Sequence, residues 1–234
     1  MRLQPDGCLG IVAEGKVISS ATTIKYGGDI SWIGMVHTLP EYRGKGFARR
    51  LMEAVIERSN TSRIGLDASD MGKPLYVSLG FVDECPIERW VREPQPVKSP
   101  ATGIRLDRGH VDLDMDREVF GADRSALLDE LSKYELAHSN RSYAFCRLGS
   151  SFDYLGPWVA DDPNDAEALL RWFLSRHATK TTCIDLFPHH TNAAELARRF
   201  GFVPVRRLTR MVLSPAVPRL PDERIYGIAG FEFG

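Results

Sequence analysis

A chain that repeats itself constrains its fold more than any single motif does. Leu79-Gly80-Phe81-Val82 recurs as Phe200-Gly201-Phe202-Val203, at an offset of 121 residues. Ile33-Gly34 matches Leu155-Gly156 at an offset of 122 residues. Ile64-Gly65-Leu66-Asp67 resembles Cys183-Ile184-Asp185-Leu186. One common order and a nearly constant spacing are the mark of a duplicated unit. Two proline-rich stretches punctuate it, Glu93 to Pro100 and the segment holding Pro215, Pro218 and Pro221; proline fixes φ and ends helices and central strands. The reading is a first domain over 1–93, a linker over 94–102, a second domain over 103–215 and a C-terminal tail over 216–234.

Both halves read as the same series of elements. In the first, apolar Leu9–Ala13, a turn at Glu14-Gly15-Lys16 and the β-branched run Val17–Tyr26 predict a hairpin. Gly27-Gly28-Asp29 turns the chain into a third strand, Ile30 to about Thr38. After Gly46 the period changes: Phe47, Leu51, Ala54, Val55 and Arg58 predict an amphipathic helix to about Ser59. A short strand at Ile64–Asp67, a helix from Lys73 to Leu79 stopped by Gly80, and extended chain from Phe81 complete the unit. The second half gives strands at Tyr143–Arg147 and Asp153–Val159, then a helix at Ala166–Arg176 and a strand at Cys183–Phe187. A helix at Ala193–Phe200 stopped by Gly201 and a strand at Val205–Leu213 follow. The fold class is α/β.

Charge narrows the function. Lys and Arg number 30 against 31 Asp and Glu, a net charge of −1, which excludes binding nucleic acid by bulk positive charge. Cys8, Cys85, Cys146 and Cys183 are scattered, with no knuckle or Cys-x-x-Cys pair, and read as reduced thiols. No apolar run is long enough to span a membrane, and the apolar stretch Cys8–Ala13 is too short for a signal peptide, so the cytoplasm is expected. His189-His190 have no third ligand at recognisable spacing and read as a solvated loop, so no metal is expected. Arg206 and Arg210 share one strand face and read as solvent-facing charge. Trp90, Trp158 and Trp172 read as packing aromatics.

The sharpest local signal runs from Thr38 to Ala48, where a strand turns into a helix. Gly44 and Gly46 allow close approach to backbone nitrogens, and the following helix points free N–H groups and its positive dipole end at the turn. Arg43 and Lys45 add local positive charge to a chain with no overall excess. This chemistry suits a pyrophosphate. The Gly-Lys-Ser/Thr ending of a Walker loop is missing, and so is the dinucleotide G-x-G-x-x-G. A bare Arg-Gly-Lys-Gly fits a tight surface turn equally well.

In context, Pro40-Glu41-Tyr42-Arg43-Gly44-Lys45-Gly46-Phe47-Ala48, followed by Leu51, closely resembles the acetyl-CoA signature of the GNAT acetyltransferase superfamily. The family pattern Arg/Gln-x-x-Gly-x-Gly/Ala is met by Arg43, Gly46 and Ala48. Leu75-Tyr76-Val77-Ser78-Leu79-Gly80-Phe81 resembles the family's downstream Leu-Tyr-x-x-x-Gly-Phe element. The tandem arrangement and the ending from Arg224 to Gly234 look like the subgroup with a degenerate second GNAT-like domain.

The resemblance implies two GNAT-like units of α+β type, each a mixed, mostly antiparallel sheet flanked by helices. It implies acetyl-CoA as co-substrate, its pyrophosphate on the amides of Arg43, Gly44, Lys45, Gly46, Phe47 and Ala48. Backbone groups of Val36, His37 and Thr38 would hold the pantetheine arm and the acetyl carbonyl. Tyr76 matches the tyrosine that protonates the departing thiolate. Ser69 replaces the family's Asn seven residues before it and would offer a hydroxyl to the pantetheine; Gly72 stands where Ala is common. His37, on the strand face opposite Val36 and Thr38, is a candidate general base. Asp67 and Asp70 would either face the cleft or cap a helix starting near Met71. The implied activity is acetyl transfer to a primary amine of a small molecule or peptide by direct attack in a ternary complex. The alternative is a non-catalytic acyl-CoA-binding or regulatory module.

The second unit departs from the pattern. Its turn, Asp161-Asp162-Pro163-Asn164-Asp165-Ala166, has no glycine pair, its acidity would repel phosphate, and Ala197 replaces the tyrosine. It is not expected to bind CoA in the same way. It also has a longer run before Gly156 than the first unit has before Gly34. The excess, Ile104 to about Leu128, reads as a strand and helical material, so the first unit is expected to lack its N-terminal strand and helices.

Overall fold

Twice along the chain, short β-branched runs give way to helical periodicity, and each change marks a crossover between strands. The computed structural model describes residues 3–97, 104, 111–213 and 215–234. Strands β1 (Cys8–Ala13) and β2 (Lys16–Tyr26) form an antiparallel hairpin turned by Glu14 and Gly15, both at positive φ. Strand β3 (Ile30–Thr38) returns antiparallel to β2. Helix α1 (Phe47–Ser59) buries Leu51, Met52 and Val55 on one face and lets β4 (Arg63–Ala68) lie parallel to β3. Helix α2 (Lys73–Ser78) and strand β5 (Phe81–Arg92) follow.

The second half opens with α3 (Leu113–Phe120), capped where Asp112 accepts from the Met115 amide at 2.9 Å, and α4 (Ser125–Leu131). Strands β6 (Glu135–Ser139), β7 (Ser142–Arg147) and β8 (Asp153–Val159) form an antiparallel meander. Helix α5 (Pro163–Arg176), capped by Asp162, crosses to β9 (Thr182–Leu186), parallel to β8. Helix α6 (Thr191–Arg199) and strands β10 (Val203–Leu213) and β11 (Ile225–Gly227) complete the order. The helical material expected before Leu128 is α3 and the start of α4. The strand expected there falls mostly on 105–110, and most of the expected linker on 98–102, both outside the described residues.

Two compact units result, and neither is one continuous segment. Unit 1 comprises Met1–Glu84, Thr209–Arg219 and Phe231–Gly234; unit 2 comprises Cys85–Leu208 and Leu220–Gly230. Strand exchange is the reason. Thr209–Val212 of β10 pair antiparallel with Gly65–Ala68 of β4 in unit 1. Glu88–Arg92 of β5 pair antiparallel with Thr182–Leu186 of β9 in unit 2. The sheet orders are therefore equivalent, β1-β2-β3-β4-β10 and β6-β7-β8-β9-β5, with one parallel pair in each, β3/β4 and β8/β9. The prolines near 93 and 215 mark bends in the chain; the unit boundaries follow strand pairing instead.

Each unit has its own core. In unit 1, Leu51, Met52 and Val55 of α1 pack on Ile33, Leu66, Phe81 and Met211. In unit 2, Leu169, Leu170 and Phe173 of α5 pack with Trp90, Trp158, Ile184 and Phe202. The expected solvated loop at His189-His190 holds for His189 alone. His190 is buried, its Nδ1 donates to the Ile225 carbonyl at 3.0 Å, and its ring lies 5.0 Å from that of Tyr226.

Candidate active site

The site of unit 1 begins with an irregularity in β3. Ser20 pairs with His37 and Thr22 with Gly34, so two steps on β2 face three on β3, a β-bulge. Met35 takes the strain at φ 51°, unusual for a side chain that is not glycine. Hydroxyls on β2 satisfy the displaced carbonyls: Ser19 donates to His37 O at 2.9 Å, Ser20 to Met35 O at 3.0 Å and Thr22 to Gly34 O at 3.0 Å. The parallel ladder joins Ile30–Ile33 to Arg63–Leu66. Beyond it, Met35–Thr38 carry no ladder pair to Asp67 and Ala68, so the two strands splay.

The splay leads into the glycine loop. Pro40–Tyr42 form a single 3-10 turn; Gly44 and Gly46 then take φ of 75° and 79°, left-handed values that any side chain would strain. A Cβ at either glycine would meet nothing within 4 Å, so the space before the loop is open. Gly46 is the N-cap of α1 and offers no side chain, which leaves the first amides of the helix for a ligand. The Arg43 Nε donates to Thr38 O at 3.2 Å and ties the loop to the end of β3. The Lys45 ammonium lies 5.0 Å from the centre of the Tyr42 ring.

Tyr76 on α2 is buried in the unit 1 core, 6.2 Å edge-on from Phe81, and burial pushes its phenol up to about 12. Helix α2 starts at Lys73, where the sequence reading placed it, two residues beyond the Met71 start considered for a cap, and its entry is organised by Ser69. The Ser69 carbonyl accepts from Gly72 and Lys73, and its hydroxyl accepts from the Gly72 amide at 3.3 Å. The helix has Gly72 at its N-cap and no side-chain cap hydrogen bond, so neither Asp67 nor Asp70 caps it. Asp67 has a fully buried side chain and takes a bidentate pair from Arg210, at 2.9 and 3.0 Å. Arg210 is therefore buried rather than solvent-facing as expected, and its guanidinium lies 4.3 Å from the centre of the Trp32 ring. Alternation around the bulge holds: His37 is exposed, while Val36 packs on the core beneath α1 and Thr38 is half-buried.

Unit 2 repeats this framework and fills it. Ala144 pairs with Trp158 and Cys146 with Leu155, a bulge in β8 at the place equivalent to that in β3. The parallel ladder from β8 to β9 covers only Asp153 and Tyr154. Past it β11 pairs antiparallel with Val159 and Trp158, while the Ile228 amide donates to Asp185 O on β9 at 2.9 Å. The chain's own backbone thus lies in the splay of unit 2. Asp185 is again a buried carboxylate held bidentately, here by Arg89, with both contacts at 2.7 Å.

Two family models, each described as an acetyltransferase (GNAT) domain, match residues 5–83 and 113–227. Together they cover most of the chain. The chain belongs to the GNAT acetyltransferase superfamily. Among solved structures, a Pyrococcus horikoshii protein designated a candidate acetyltransferase is 25% identical. It covers 100% of this chain and 82% of its own, with a TM-score of 0.87. A GCN5-related N-acetyltransferase from Sphaerobacter thermophilus is 16% identical, with 88% and 80% covered and a TM-score of 0.62, a likeness of fold. No curated protein matches. The tandem GNAT reading of the sequence is thus shown, and acyl transfer is the class of chemistry that the superfamily brings.

Reading the GNAT motifs singled out the loop, Tyr76 and Ser69; Tyr76 packs in the same core as Leu51, Met52 and Val55 of the helix that follows the loop. That reading missed the bulge, the hydroxyl row of Ser19, Ser20 and Thr22 that supports it, the Asp67–Arg210 pair and the plugged splay of unit 2. The signal for the hydroxyl row was present as three closely spaced hydroxyl residues on one predicted strand.

Proposed function

We propose that unit 1 transfers an acetyl group from acetyl-CoA to a primary amine of a small molecule or peptide, by direct attack in a ternary complex. The observation that carries this is the open glycine loop at an uncapped helix start, placed directly after a bulged, splayed strand. The residues fit the co-substrate: a pyrophosphate needs close backbone amides, and side chains at Gly44 and Gly46 would occupy that space. Amides from Arg43 to Ala48 would bind it, with Arg43 and Lys45 adding charge. Backbone groups of Val36, His37 and Thr38 would align the arm and polarise the carbonyl. Acetyl-CoA supplies an activated thioester.

Tyr76 holds its proton across the neutral range and would give it to the leaving sulfur. His37, exposed on the opposite face of β3, would take a proton from the amine, directly or through water. The framework contributes mainly positioning. The second reading, a CoA-binding module without turnover, rests on Ser69, which stands where the family has Asn. Following free thiol release with acetyl-CoA and a panel of amines decides between them. Transfer that falls with Tyr76→Phe supports the enzyme; CoA binding without transfer to any amine leaves the module. Gly46→Val should abolish CoA binding under both readings, and retained binding would place the site elsewhere.

A further inference from the structure

We infer that the C-terminal segment Phe231–Gly234 forms a wall of the acceptor site of unit 1 and sets which amines reach the bulge. The inference rests on the acetyl-transfer reading above. The glycine loop, α1 and Tyr76 share one face of the sheet, since Tyr76 packs in the same core as Leu51, Met52 and Val55. A donor held there fills that side of the splay. An attacking nitrogen needs a line roughly perpendicular to the carbonyl plane, and the approach left is the opposite face of β3.

That face is where the segment sits. The Trp32 Nε1 donates to Phe231 O at 2.9 Å, and the Tyr26 hydroxyl donates to Phe233 O at 2.7 Å. Between these anchors Glu232 crosses Gly34, the residue just before the bulge. A Cβ at Gly34 would stand 2.9 Å from Glu232 Cα and 3.0 Å from its carbonyl oxygen. Gly34 is glycine for this contact. Its φ lies outside the left-handed region, so no backbone conformation demands it. The segment thus reaches, on the acceptor side, the strand whose next residues would hold the thioester. His37 is exposed on the same face, three positions along.

The test uses the full chain. Gly34→Ala pushes the segment away from β3; Tyr26→Phe with Trp32→Phe removes these two hydrogen bonds and leaves a smaller aromatic ring at position 32. Initial rates are measured against each substrate in turn, with the other saturating, across an amine panel. The expected result is a KM for the amine raised about tenfold, or a changed order of preferred amines, with the KM for acetyl-CoA within about twofold. Unchanged amine kinetics in both variants overturn the inference, as does a parallel rise in both KM values, which marks a purely structural role. If Gly34→Ala does not fold, the double variant decides. Failure of the intact protein to acetylate any amine removes the acetyl-transfer reading and this inference with it; an active intact protein with unaltered variants removes only the inference.

Discussion

Gly72 lies against the ring of Tyr76: a Cβ there would stand 2.9 Å from Tyr76 Cε2 and 3.1 Å from its hydroxyl oxygen. The φ of Gly72 is −83°, a value any residue adopts, so the glycine is needed for space rather than for backbone freedom. Its neighbour Ser69 accepts from its amide. The two departures from the family pattern at 69 and 72 therefore act together to seat the tyrosine.

Gly72→Ala should shift the Tyr76 ring. Overpacking of this kind costs about 1–3 kcal/mol in stability. Tyr76 would serve only the departing thiolate, so kcat should drop about tenfold while CoA affinity stays nearly constant. Steady-state kinetics with a parallel CoA titration checks this; equal loss in both would show that the loop moved as well.

Tyr76→Phe keeps the ring and removes the proposed proton donor, and should lower kcat about 10²- to 10⁴-fold. The pH dependence has a definite sign. Burial raises the folded phenol from 10.0 to about 12, whereas the unfolded chain ionises near 10. The stability this group contributes is therefore fully present below pH 10 and is lost as pH rises from 10 to 12. Tyr76→Phe should remove its share of that alkaline loss, read by denaturant titrations at pH 9 and pH 11. No ionisation of Tyr76 should limit the rate near neutrality.

What was legible in the sequence was what local chemistry encodes. Gly44 and Gly46 mark the loop because only glycine takes left-handed φ without strain, and α1 is marked by its apolar period. The repeat of Gly34 at Gly156 was legible too, but not its cause. A Cβ at Gly34 would meet Glu232, and one at Gly156 would meet Ile228 O; both partners lie far along the chain. The exchanged strands were illegible for the same reason: β10 reads as a strand anywhere, and nothing local says that it pairs with β4. Met35 gives no sign of its positive φ, because side-chain preference alone does not place a bulge. Arg210 looked solvent-facing because its partner, Asp67, is 143 residues away.

Asp67→Asn should destabilise unit 1 strongly. It breaks the bidentate pair between Asp67 and the buried Arg210 guanidinium, and breaking a buried ion pair costs about 3–5 kcal/mol. Replacing both residues together, Asp67→Leu with Arg210→Met, should cost less than Asp67→Asn alone, because both halves of the pair are removed. Urea unfolding of the three proteins checks the order; equal losses would show that the ion pair is not what the site requires.

Cys146 has the partners of a nucleophile but not the access. Its sulfur is 3.2 Å from His177 Nε2, and Asp153 lies 2.9 Å from the opposite ring nitrogen. Yet Cys146 is fully buried, and burial pushes its thiol up, against thiolate formation. Cys85 and Cys183 are buried too, and Cys8 is exposed. Brief treatment of the native protein with iodoacetamide should label Cys8 and spare the other three; mass spectrometry of the digest reads the pattern. Rapid labelling of Cys146 would show that unit 2 opens there.

One CoA should bind per chain. In unit 2 the segment around β11 already uses the backbone groups of Val159 and Trp158 on β8 and Asp185 O on β9, the places equivalent to those assigned to the pantetheine arm in unit 1. Its helix α5 is capped by Asp162, which accepts from the Asn164 amide at 2.7 Å, so an acidic side chain stands where a phosphate would need to be. Backbone competition and charge therefore exclude the same ligand independently. Isothermal titration of the full chain with CoA should give a stoichiometry of one, and Gly46→Val should reduce it to zero. Two sites in the intact protein, or one surviving in Gly46→Val, would show that unit 2 binds despite its own strand.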